Sequence, residues 1–293
     1  MRDATPSRTA QWVAAARGLG RLLPESVRIA DDPYGLAFSS SGLAGLVNRR
    51  PDGQAEAIAR IPGLRSWIVY MQVRTRVIDD AVCAFVATGG CQIVVLGAGY
   101  DCRALRLSEL AGSQVYEIDH PATQDHKLAV LERLGAASPA HYLAWDFETH
   151  PMDDLPAALA EAGHDPTAPT LTIWEGVTTY LTEGAIDASL RAIAAWSTPG
   201  SELAMTYQTN AQLTTRSLAI RALRAAVQRV GEPHKFGWVP EQLPAYLDAR
   251  GFDLVRDVSI SEASRALMPP DLAAHTALAG NHVALVRRTA RAL

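Results

Sequence analysis

The chain has 293 residues, 48% of them hydrophobic and 20% charged, a composition typical of a folded globular protein. Its formal net charge of −4 disfavours nucleic acid as a partner. No run of about 18 uncharged apolar residues occurs, so we expect no membrane span. The N-terminal segment lacks the apolar core of a secretory signal, and we therefore expect a cytoplasmic protein.

The pattern of cysteines and histidines argues against a disulfide framework and against a metal site. The three cysteines, Cys83, Cys91 and Cys102, are an odd number and form no Cys-x-x-Cys pair. No His-Glu-x-x-His motif occurs, and no close pairing of histidine with cysteine is present. We therefore predict no bound metal.

Residues 1–88 are predicted to be largely helical. Apolar spacing indicates a short helix at 9–20 and a longer helix from about 56 to 87. The segment 39–54 is rich in Gly, Ser and Pro and is predicted to form loops. The pair Gly89-Gly90 ends the second helix.

Strand-like and helix-like segments alternate over residues 89–208. Such an alternation predicts a parallel sheet with helices on both faces and right-handed crossovers. The predicted strands are 92–96, 114–118, 141–144, 171–174 and 203–207, and the predicted helices are 103–111, 123–134, 154–162 and 183–196.

The remainder of the chain begins with a long helical pattern at 211–230. A shorter helix is predicted at 240–250, and Gly251 is a favourable residue for its end. Two strand-like runs follow at 254–260 and 282–287. We expect these two runs to form an antiparallel pair at the edge of the sheet.

The most informative motif is IVVLGAGYDCR at 93–103, in which a buried strand runs into Gly97-Ala98-Gly99 and a helix follows. Glycine lets the backbone turn sharply and lets a ligand approach closely. The dinucleotide fingerprint requires a third glycine where this chain has Cys102. Asp101 adds negative charge at the helix start, where a pyrophosphate would lie. The turn therefore suits a cationic or zwitterionic nucleoside such as S-adenosylmethionine better than a dinucleotide.

An acidic side chain follows in the next strand, within YEIDH at 116–120. Glu117 and Asp119 lie about 20 residues beyond the first glycine of the turn, where a carboxylate can accept hydrogen bonds from both ribose hydroxyls. We select Asp119 because it lies nearest the carboxyl end of the strand, where ligands bind in sheets of this kind.

Together these motifs resemble the leucine carboxyl methyltransferase-like family, especially its bacterial branch of S-adenosylmethionine-dependent methyltransferases. Some members of that branch act as O-methyltransferases in aromatic polyketide pathways. The resemblance covers about residues 9–260. It is carried, in order, by TAQWVAAARGLG, DDPYGLAF, RTRVIDD, VVLGAGYDCRALRL, VYEIDHP, WDF at 145–147 and WEGVTTYL at 174–181.

The resemblance implies an α/β, Rossmann-like class I methyltransferase fold. Its sheet is expected to be mostly parallel and seven-stranded, with an antiparallel edge strand and added N-terminal helices and a lid. A single methyltransferase domain is expected over 1–293. Its parts are a helical cap with the cofactor arginine (1–88), a cofactor-binding core (89–208), a lid insertion (209–240) and a C-terminal helix with edge strands (241–293).

The resemblance also implies individual residue roles around the cofactor. Arg74, the first arginine of RTR, looks like the ligand of the cofactor carboxylate. Gly97 matches the cofactor turn, which also contains Gly99, and Asp119 matches the ribose-binding acid. Eukaryotic members place an N-terminal lysine on the cofactor, and Arg17 is the substitute in this chain.

Four further residues complete the implied site. Asp146 and Phe147 match the pair that brackets adenine. Glu175 matches an acid near the methionine end of the cofactor. Tyr180 falls at a motif position close to the active site and is the candidate catalytic residue.

The residues taken alone leave other interpretations open. Arg74 shares a helical face with apolar residues, so its guanidinium lies at the core side of the helix and needs an anion. An ion pair with Asp79, Asp80 or another acid would satisfy it as well as a ligand would. In the same way, Asp146 suits an Asx turn, and Glu175 suits a protein arginine.

These features predict an S-adenosylmethionine-dependent O-methyltransferase that forms a methyl ester or ether on a small-molecule or peptide carboxylate or phenol, in natural-product biosynthesis among other settings. None of His120, His141 and His234 is assigned as a base. The lack of a base motif favours a carboxylate or an acidic phenol, because a carboxylate is already ionised at neutral pH. The alternatives are an NAD(P)-dependent oxidoreductase, which shares the strand–GxG–helix–acid pattern, and a non-catalytic S-adenosylmethionine-binding protein.

The aromatic residues of the predicted cap and lid could line an acceptor pocket. Trp12, Trp67, Phe236 and Trp238 are the candidates, and each could equally belong to the core.

Overall fold

The computed structural model describes residues 5–39, 63–211, 235–276 and 280–290. A seven-stranded sheet lies at its centre. The strands are β1 (Gln92–Leu96), β2 (Gln114–Asp119), β3 (His141–Ala144), β4 (Thr170–Trp174), β5 (Glu202–Gln208), β6 (Phe252–Ser259) and β7 (Asn281–Arg288).

The strand order is β3-β2-β1-β4-β5-β7-β6. Strands β1 to β5 are parallel, and β7 runs antiparallel to both of its neighbours, β5 and β6. The predicted Rossmann-like architecture is therefore confirmed. The chain order reverses at β1, which lies between β2 and β4, and the carboxyl ends of strands at such a reversal form the usual ligand crevice of open α/β sheets.

The predicted strands agree with the observed ones in type and order, and their ends differ by at most two residues. The agreement is closest where periodicity and turn residues act together. Strand β1 consists entirely of buried residues and is followed by a glycine turn, and its observed bounds are the predicted ones.

Helices cover both faces of the sheet, as the alternation of segments predicts. They are α1 (Arg8–Leu19), α2 (Leu64–Ala87), α3 (Arg103–Arg106), α4 (Pro121–Arg133), α5 (Leu155–Glu161), α6 (Glu183–Trp196), α7 (Leu243–Asp248), α8 (Ile260–Leu267) and α9 (Pro270–Ala273). No helix in these described ranges combines the length and apolar character of a membrane span.

Two parts of the helix prediction are wrong. The helix predicted at 103–111 is interrupted at Leu107, whose backbone is extended, so that α3 is followed by a separate 3-10 turn, Ser108–Leu110. Helices α8 and α9, between the last two strands, are absent from the prediction. The Ser259 side chain accepts a hydrogen bond from the Glu262 N–H at 3.1 Å and so caps α8. The spacing Ser-x-x-Glu is a capping signature that the sequence displays.

Several predictions lie outside the described residues. They are the helix predicted at 211–230, of which only the first residue is described, and most of the lid insertion at 209–240. The start of the helix at 56–87 and the loops at 39–54 beyond residue 39 also lie outside.

The core has two layers, one on each face of the sheet, because neighbouring side chains of a strand point to opposite faces. Ile93 and Val95 of β1 pack with α2, whereas Val94 and Leu96 pack with α6. Full burial of a side chain of this size stabilises the fold by about 1.5–3 kcal/mol. The packing of α2 against the sheet fixes its polar side chains relative to the carboxyl ends of the strands.

Candidate functional site

A cavity of about 810 Å³ lies at the carboxyl ends of β1, β2, β4 and β5, and residues of α1 and α2 cover it. All of the predicted cofactor-binding residues and the predicted catalytic residue line this one cavity. They are Arg17, Arg74, Gly97, Gly99, Asp119, Asp146, Phe147, Glu175 and Tyr180. The sequence thus identifies residues that the fold brings together from six separate segments of the chain.

The glycine turn at the end of β1 exposes main-chain atoms to the cavity. Gly97 and Gly99 have φ values of 70° and 54°, in the left-handed region that favours glycine. A Cβ atom on Gly97 would lie 2.6 Å from Cγ2 of Val177. The turn is anchored to β2, because the N–H groups of Gly97 and Ala98 both donate to the carbonyl oxygen of Ile118, at 2.9 and 3.0 Å.

Asp119 lies at the end of β2, beside this turn. Its Oδ2 accepts a hydrogen bond from the Gly99 N–H at 2.5 Å, and its Oδ1 accepts one from the His120 N–H at 2.7 Å. Burial raises the pKa of the Asp119 carboxyl above its ordinary value, although these two N–H groups oppose the shift. The carboxylate is therefore held by the backbone at a fixed position on the cavity wall.

Glu117, the other acid of β2, does not line the cavity. Its carboxylate forms a buried ion pair with Lys127 of α4, and the Lys127 ammonium also donates to the Asp101 carbonyl oxygen. Through Lys127, Glu117 thus supports the segment after the glycine turn on the side away from the cavity. This geometry favours Asp119 over Glu117 as the ligand-facing acid.

Arg74 and Glu175 contact each other at the cavity wall. Nε of Arg74 donates to Oε1 of Glu175 at 2.7 Å, and the Arg74 side chain is only 6% exposed. Arg103 contacts the other carboxylate oxygen of Glu175 at 2.9 Å. Burial alone would raise the pKa of Glu175, but Arg103, Arg74 and Arg17 outweigh it and hold this pKa well below its ordinary value.

Arg103 supports residues of the cavity wall without lining the cavity itself, and the sequence interpretation does not single it out. Its guanidinium contacts Asp101 of the turn, Asp79 of α2 at 2.8 Å and Glu175 after β4. Asp79 also binds Arg106 at 2.7 Å. The side chain of Arg103 therefore joins three segments around the cavity, and only its position after the glycine turn could have suggested this.

The two acids considered as alternative partners of Arg74 are engaged elsewhere. Asp79 pairs with Arg103 and Arg106, and Asp80 pairs with Arg76 on the exposed side of α2. The acid that pairs with Arg74 is Glu175, so the two predicted cofactor ligands also form an ion pair with each other.

Arg17 of the covering helix α1 lines the cavity. Its Nε donates to Oδ2 of Asp32 at 2.8 Å, and its terminal nitrogen Nη2 donates to the carbonyl oxygen of Tyr100. Asp32 in turn accepts hydrogen bonds from the backbone N–H groups of Tyr34 and Gly35. Arg17 therefore fastens the covering helix to the residue that follows the glycine turn.

Asp146 and Phe147 form the rim of the cavity beyond β3. Asp146 builds an Asx turn, because its Oδ1 accepts from the Glu148 N–H and its Oδ2 from the Thr149 hydroxyl, both at 2.9 Å. The Phe147 side chain is 39% exposed and is not part of the buried core. The turn thus presents an exposed aromatic ring at the cavity mouth.

Aromatic residues also line the cavity. Trp67 and Tyr70 of α2 stack with ring centroids 5.4 Å apart, and Tyr180 and Tyr207 belong to the same cavity lining. Of the four aromatic residues considered from the sequence, Trp12 and Trp67 line the cavity. Phe236 and Trp238 pack with the core on the α6 face of the sheet.

Of the two candidate bases within the described residues, His120 lines the cavity and His141 does not. Its Nδ1 accepts the N–H of Ala122 at 3.2 Å and caps α4, which is a structural role. His141 stacks on Tyr116 outside the cavity, and His234 lies outside the described residues.

Comparison with known proteins places this geometry in context. A family model described as leucine carboxyl methyltransferase matches residues 10–194. A candidate S-adenosyl-L-methionine-dependent methyltransferase from a Mycobacterium species is 38% identical over 204 residues, which are 69% of this chain and 66% of that protein. A candidate enzyme of the same kind from Frankia alni is 33% identical over 227 residues, which are 75% of this chain and 74% of that protein.

Solved structures show the same fold at low sequence identity. A DUF574 family protein from Streptomyces avermitilis aligns with a TM-score of 0.59 and 18% identity, over 94% of this chain and 97% of that one. A candidate methyltransferase from Thermobifida fusca aligns with a TM-score of 0.56 and 20% identity, over 98% and 96%. The family model covers more than half of the sequence, and the chain therefore belongs to the leucine carboxyl methyltransferase family.

Proposed function

We propose that this chain is an S-adenosylmethionine-dependent methyltransferase that transfers the methyl group to an oxygen atom. The observation that carries the proposal is the convergence of Arg74, Glu175, Asp119 and the glycine turn on one cavity. Family membership and the Mycobacterium and Frankia relatives support the methyltransferase class. The choice of oxygen as acceptor is our own inference from the chemistry of the site.

The donor set fits the chemistry of this cofactor. Gly97 and Gly99 leave backbone without side chains where a nucleoside would approach, and a Cβ on Gly97 would already collide with Val177. Asp119 presents a carboxylate that can accept hydrogen bonds from ribose hydroxyls. The guanidinium of Arg74 suits a carboxylate group, and Glu175 suits an ammonium group.

The rim residues extend the fit to an adenine ring. Phe147 offers an exposed ring for stacking, and Asp146 is fixed beside it by the Asx turn. When bound, the cofactor supplies a methyl group activated by a positively charged sulfur. We assign Asp146 and Phe147 to the adenine and Arg17 to the support of the covering helix over the turn.

The residues of this chain then act mainly by holding the two reactants in place, and they need no strong acid or base. Bringing two reactants together in the right orientation and excluding water accounts for a large part of such a rate enhancement. Helix α1 covers the cavity, and we expect the aromatic residues that line it to contact the acceptor. Tyr180 can hydrogen-bond the acceptor oxygen through its hydroxyl. An acceptor carboxylate requires no proton removal, because its pKa of about 4 keeps it ionised at neutral pH.

The NAD(P)-dependent oxidoreductase is the weaker candidate for this cavity. The buried carboxylate of Asp101 lies directly after the glycine turn, where a pyrophosphate would carry like charge. The cations around the turn are already paired with protein carboxylates: Arg103 is shared by Asp79, Asp101 and Glu175, and Arg17 is paired with Asp32. The charge around the turn thus opposes a dinucleotide.

Thermal shift with S-adenosylhomocysteine and with NAD(P) separates the two classes. We expect S-adenosylhomocysteine to raise the melting temperature and NAD(P) to leave it unchanged, since a ligand of the native state stabilises it by mass action. Stabilisation by NAD(P) alone would refute the proposal.

Labelling of extracts with a tritiated methyl donor then tests transfer and the kind of product. Label released by mild base indicates a methyl ester, and label stable to base indicates an ether. Binding of S-adenosylhomocysteine without transfer to any carboxylate or phenol would point to a non-catalytic binding protein.

A further inference from the structure

The cavity has a polar wall at the end formed by β5 and β7. Gln208 ends β5, Asn281 begins β7, and the two residues are directly paired across the strands. Lys235 reaches the same place because its backbone N–H donates to the Thr179 carbonyl oxygen at 2.7 Å. Gln208, Asn281 and Lys235 all line the cavity, and we call them the donor wall.

The donor wall offers N–H groups to the cavity. The Thr179 hydroxyl donates to Oε1 of Gln208 at 3.1 Å, which fixes the amide and leaves its NH2 group as the available end. Within the described part of the chain, the side-chain nitrogens of Gln208, Lys235 and Asn281 donate to no protein group. Polar groups at the wall of a largely apolar cavity are normally matched by polar groups of the ligand.

The charge of the donor wall differs from that of the rest of the cavity. The carboxylates that line the cavity all lie on segments that follow β1 to β4, and they are Asp101, Asp119, Asp146, Glu148 and Glu175. Lys235 is the charged cavity residue contributed by the described segments around β5 and β7. This end of the cavity therefore carries positive charge and hydrogen-bond donors, and aromatic side chains also line the cavity.

We propose that the donor wall binds a carboxylate of the acceptor, separate from the oxygen atom that is methylated. A carboxylate has about four lone-pair positions on two oxygens, which suits one ammonium and two amide donors. The bound carboxylate is not the reacting group, because a positive charge held against an oxygen lowers its basicity and hence its reactivity. The acceptor is thus an apolar, aromatic-compatible molecule with a carboxylate at the end remote from the reacting oxygen.

This inference rests on the proposed function and specifies its acceptor. The test uses two probes that differ in one group, a hydroxynaphthoate and the corresponding neutral hydroxynaphthamide. Each is titrated calorimetrically into the full chain at neutral pH in the presence of S-adenosylhomocysteine. We expect the hydroxynaphthoate to bind about tenfold more tightly, the size of one charge-assisted hydrogen bond.

Substitutions test whether the preference for the hydroxynaphthoate depends on the donor wall. We expect Lys235→Met to abolish the difference between the two probes and Gln208→Leu to reduce it. Arg133→Met removes an exposed positive charge from α4, away from the cavity, and is the matched control that keeps the preference. The affinity for S-adenosylhomocysteine, measured in the same preparations, is expected to be unchanged in Lys235→Met.

The possible outcomes distinguish failure of the donor-wall proposal from failure of the proposed function. Equal affinity for the two probes, no binding of the hydroxynaphthoate, or a preference that survives Lys235→Met would overturn the donor wall and leave the methyltransferase proposal intact. Absence of S-adenosylhomocysteine binding in the unmodified chain would instead refute the proposed function, on which the acceptor assignment depends.

Discussion

The carboxylate of Glu175 lies between two guanidinium groups, with Nε of Arg74 at 2.7 Å and Nη1 of Arg103 at 2.9 Å. All three side chains are more than nine-tenths buried. A carboxylate in this position neutralises charge that water cannot reach. The folded state therefore depends on Glu175 even before any ligand is considered, because its removal leaves two arginines without their shared partner.

Glu175→Gln is expected to lower the free energy of unfolding by about 3–5 kcal/mol, the usual cost of removing one partner of a buried ion pair. The matched control is Glu202→Gln. Glu202 contacts Arg287 at 3.3 Å on the exposed face of the sheet, and its substitution is expected to cost less than about 1 kcal/mol. Urea denaturation of the two variants measures both values. Equal losses would show that the Glu175 pair adds nothing beyond a surface contact.

The effect of Glu175→Gln is expected to depend on pH. Despite burial, the neighbouring arginines hold the pKa of Glu175 below its ordinary value of 4.5 in the folded state. Such a group stabilises the fold above its unfolded pKa and loses this contribution as the pH falls through the folded pKa. The difference in unfolding free energy between the unmodified chain and Glu175→Gln should be constant from about pH 6 to about pH 8 and shrink below about pH 4.5. Denaturation series across this range provide the measurement, and a difference that grows on acidification would contradict the assignment.

Gly97→Ala is expected to impair both folding and cofactor binding. The substitution places a Cβ 2.6 Å from Val177 and forces a φ of 70° on a residue with a side chain. Gly112→Ala is the matched control, because Gly112 has a φ of 90° but no atom within 4 Å of the position that a Cβ would take. The backbone conformation alone costs about 1–2 kcal/mol, and we expect only Gly97→Ala to lose S-adenosylhomocysteine binding as well. Calorimetric titration of the two variants with S-adenosylhomocysteine provides the measurement. Equal affinities would show that the turn does not contact the cofactor.

Asp119→Asn is expected to weaken S-adenosylhomocysteine binding by about tenfold or more, because a charge-assisted hydrogen bond contributes about 1.5–3 kcal/mol. The amide oxygen can still accept one of the two backbone N–H groups that hold Asp119, so the fold should persist. Asp125→Asn, an exposed acid on α4, is the control for loss of a negative charge. Unchanged affinity in Asp119→Asn would mean that the ribose is bound elsewhere.

The sheet could be predicted from the sequence because its signals are local. Buried runs such as β1 and β4 are bounded by turn residues and alternate with helical patterns, and this is sufficient for strand type, order along the chain and the parallel arrangement. Helices α8 and α9 are harder to predict, because they are short and lie in the connection between the antiparallel strands β6 and β7. The capping pair Ser259 and Glu262 is the available signal.

The candidate site could be predicted in part for the same reason. The glycine turn and Asp119 belong to one local strand–turn–strand pattern, whereas Arg74, Glu175 and Tyr180 are placed through the family resemblance. The partners of these residues depend on tertiary contacts across the sheet. Arg103 reaches Asp79, 24 residues earlier, and Glu175 near the end of β4, and no local pattern predicts such a contact.

The donor wall could not be predicted, because it depends on sheet topology. Gln208 and Asn281 are neighbours only because β7 inserts between β5 and β6, and Lys235 joins them through a backbone hydrogen bond to Thr179. Each of the three is an ordinary polar residue in sequence. Their proximity becomes apparent only when the strand order is known.

The buried ion pairs are distributed unequally around the cavity. They join α1, α2 and the glycine turn at the cofactor end, whereas the donor wall contributes no described ion pair. Substitution of an ion-paired residue at the cofactor end is therefore expected to disturb folding and binding together, whereas substitution at Gln208, Lys235 or Asn281 leaves these ion pairs intact. If the donor wall binds the acceptor as proposed, acceptor choice can change at these three positions while the scaffold stays constant, and related chains are expected to diverge there first.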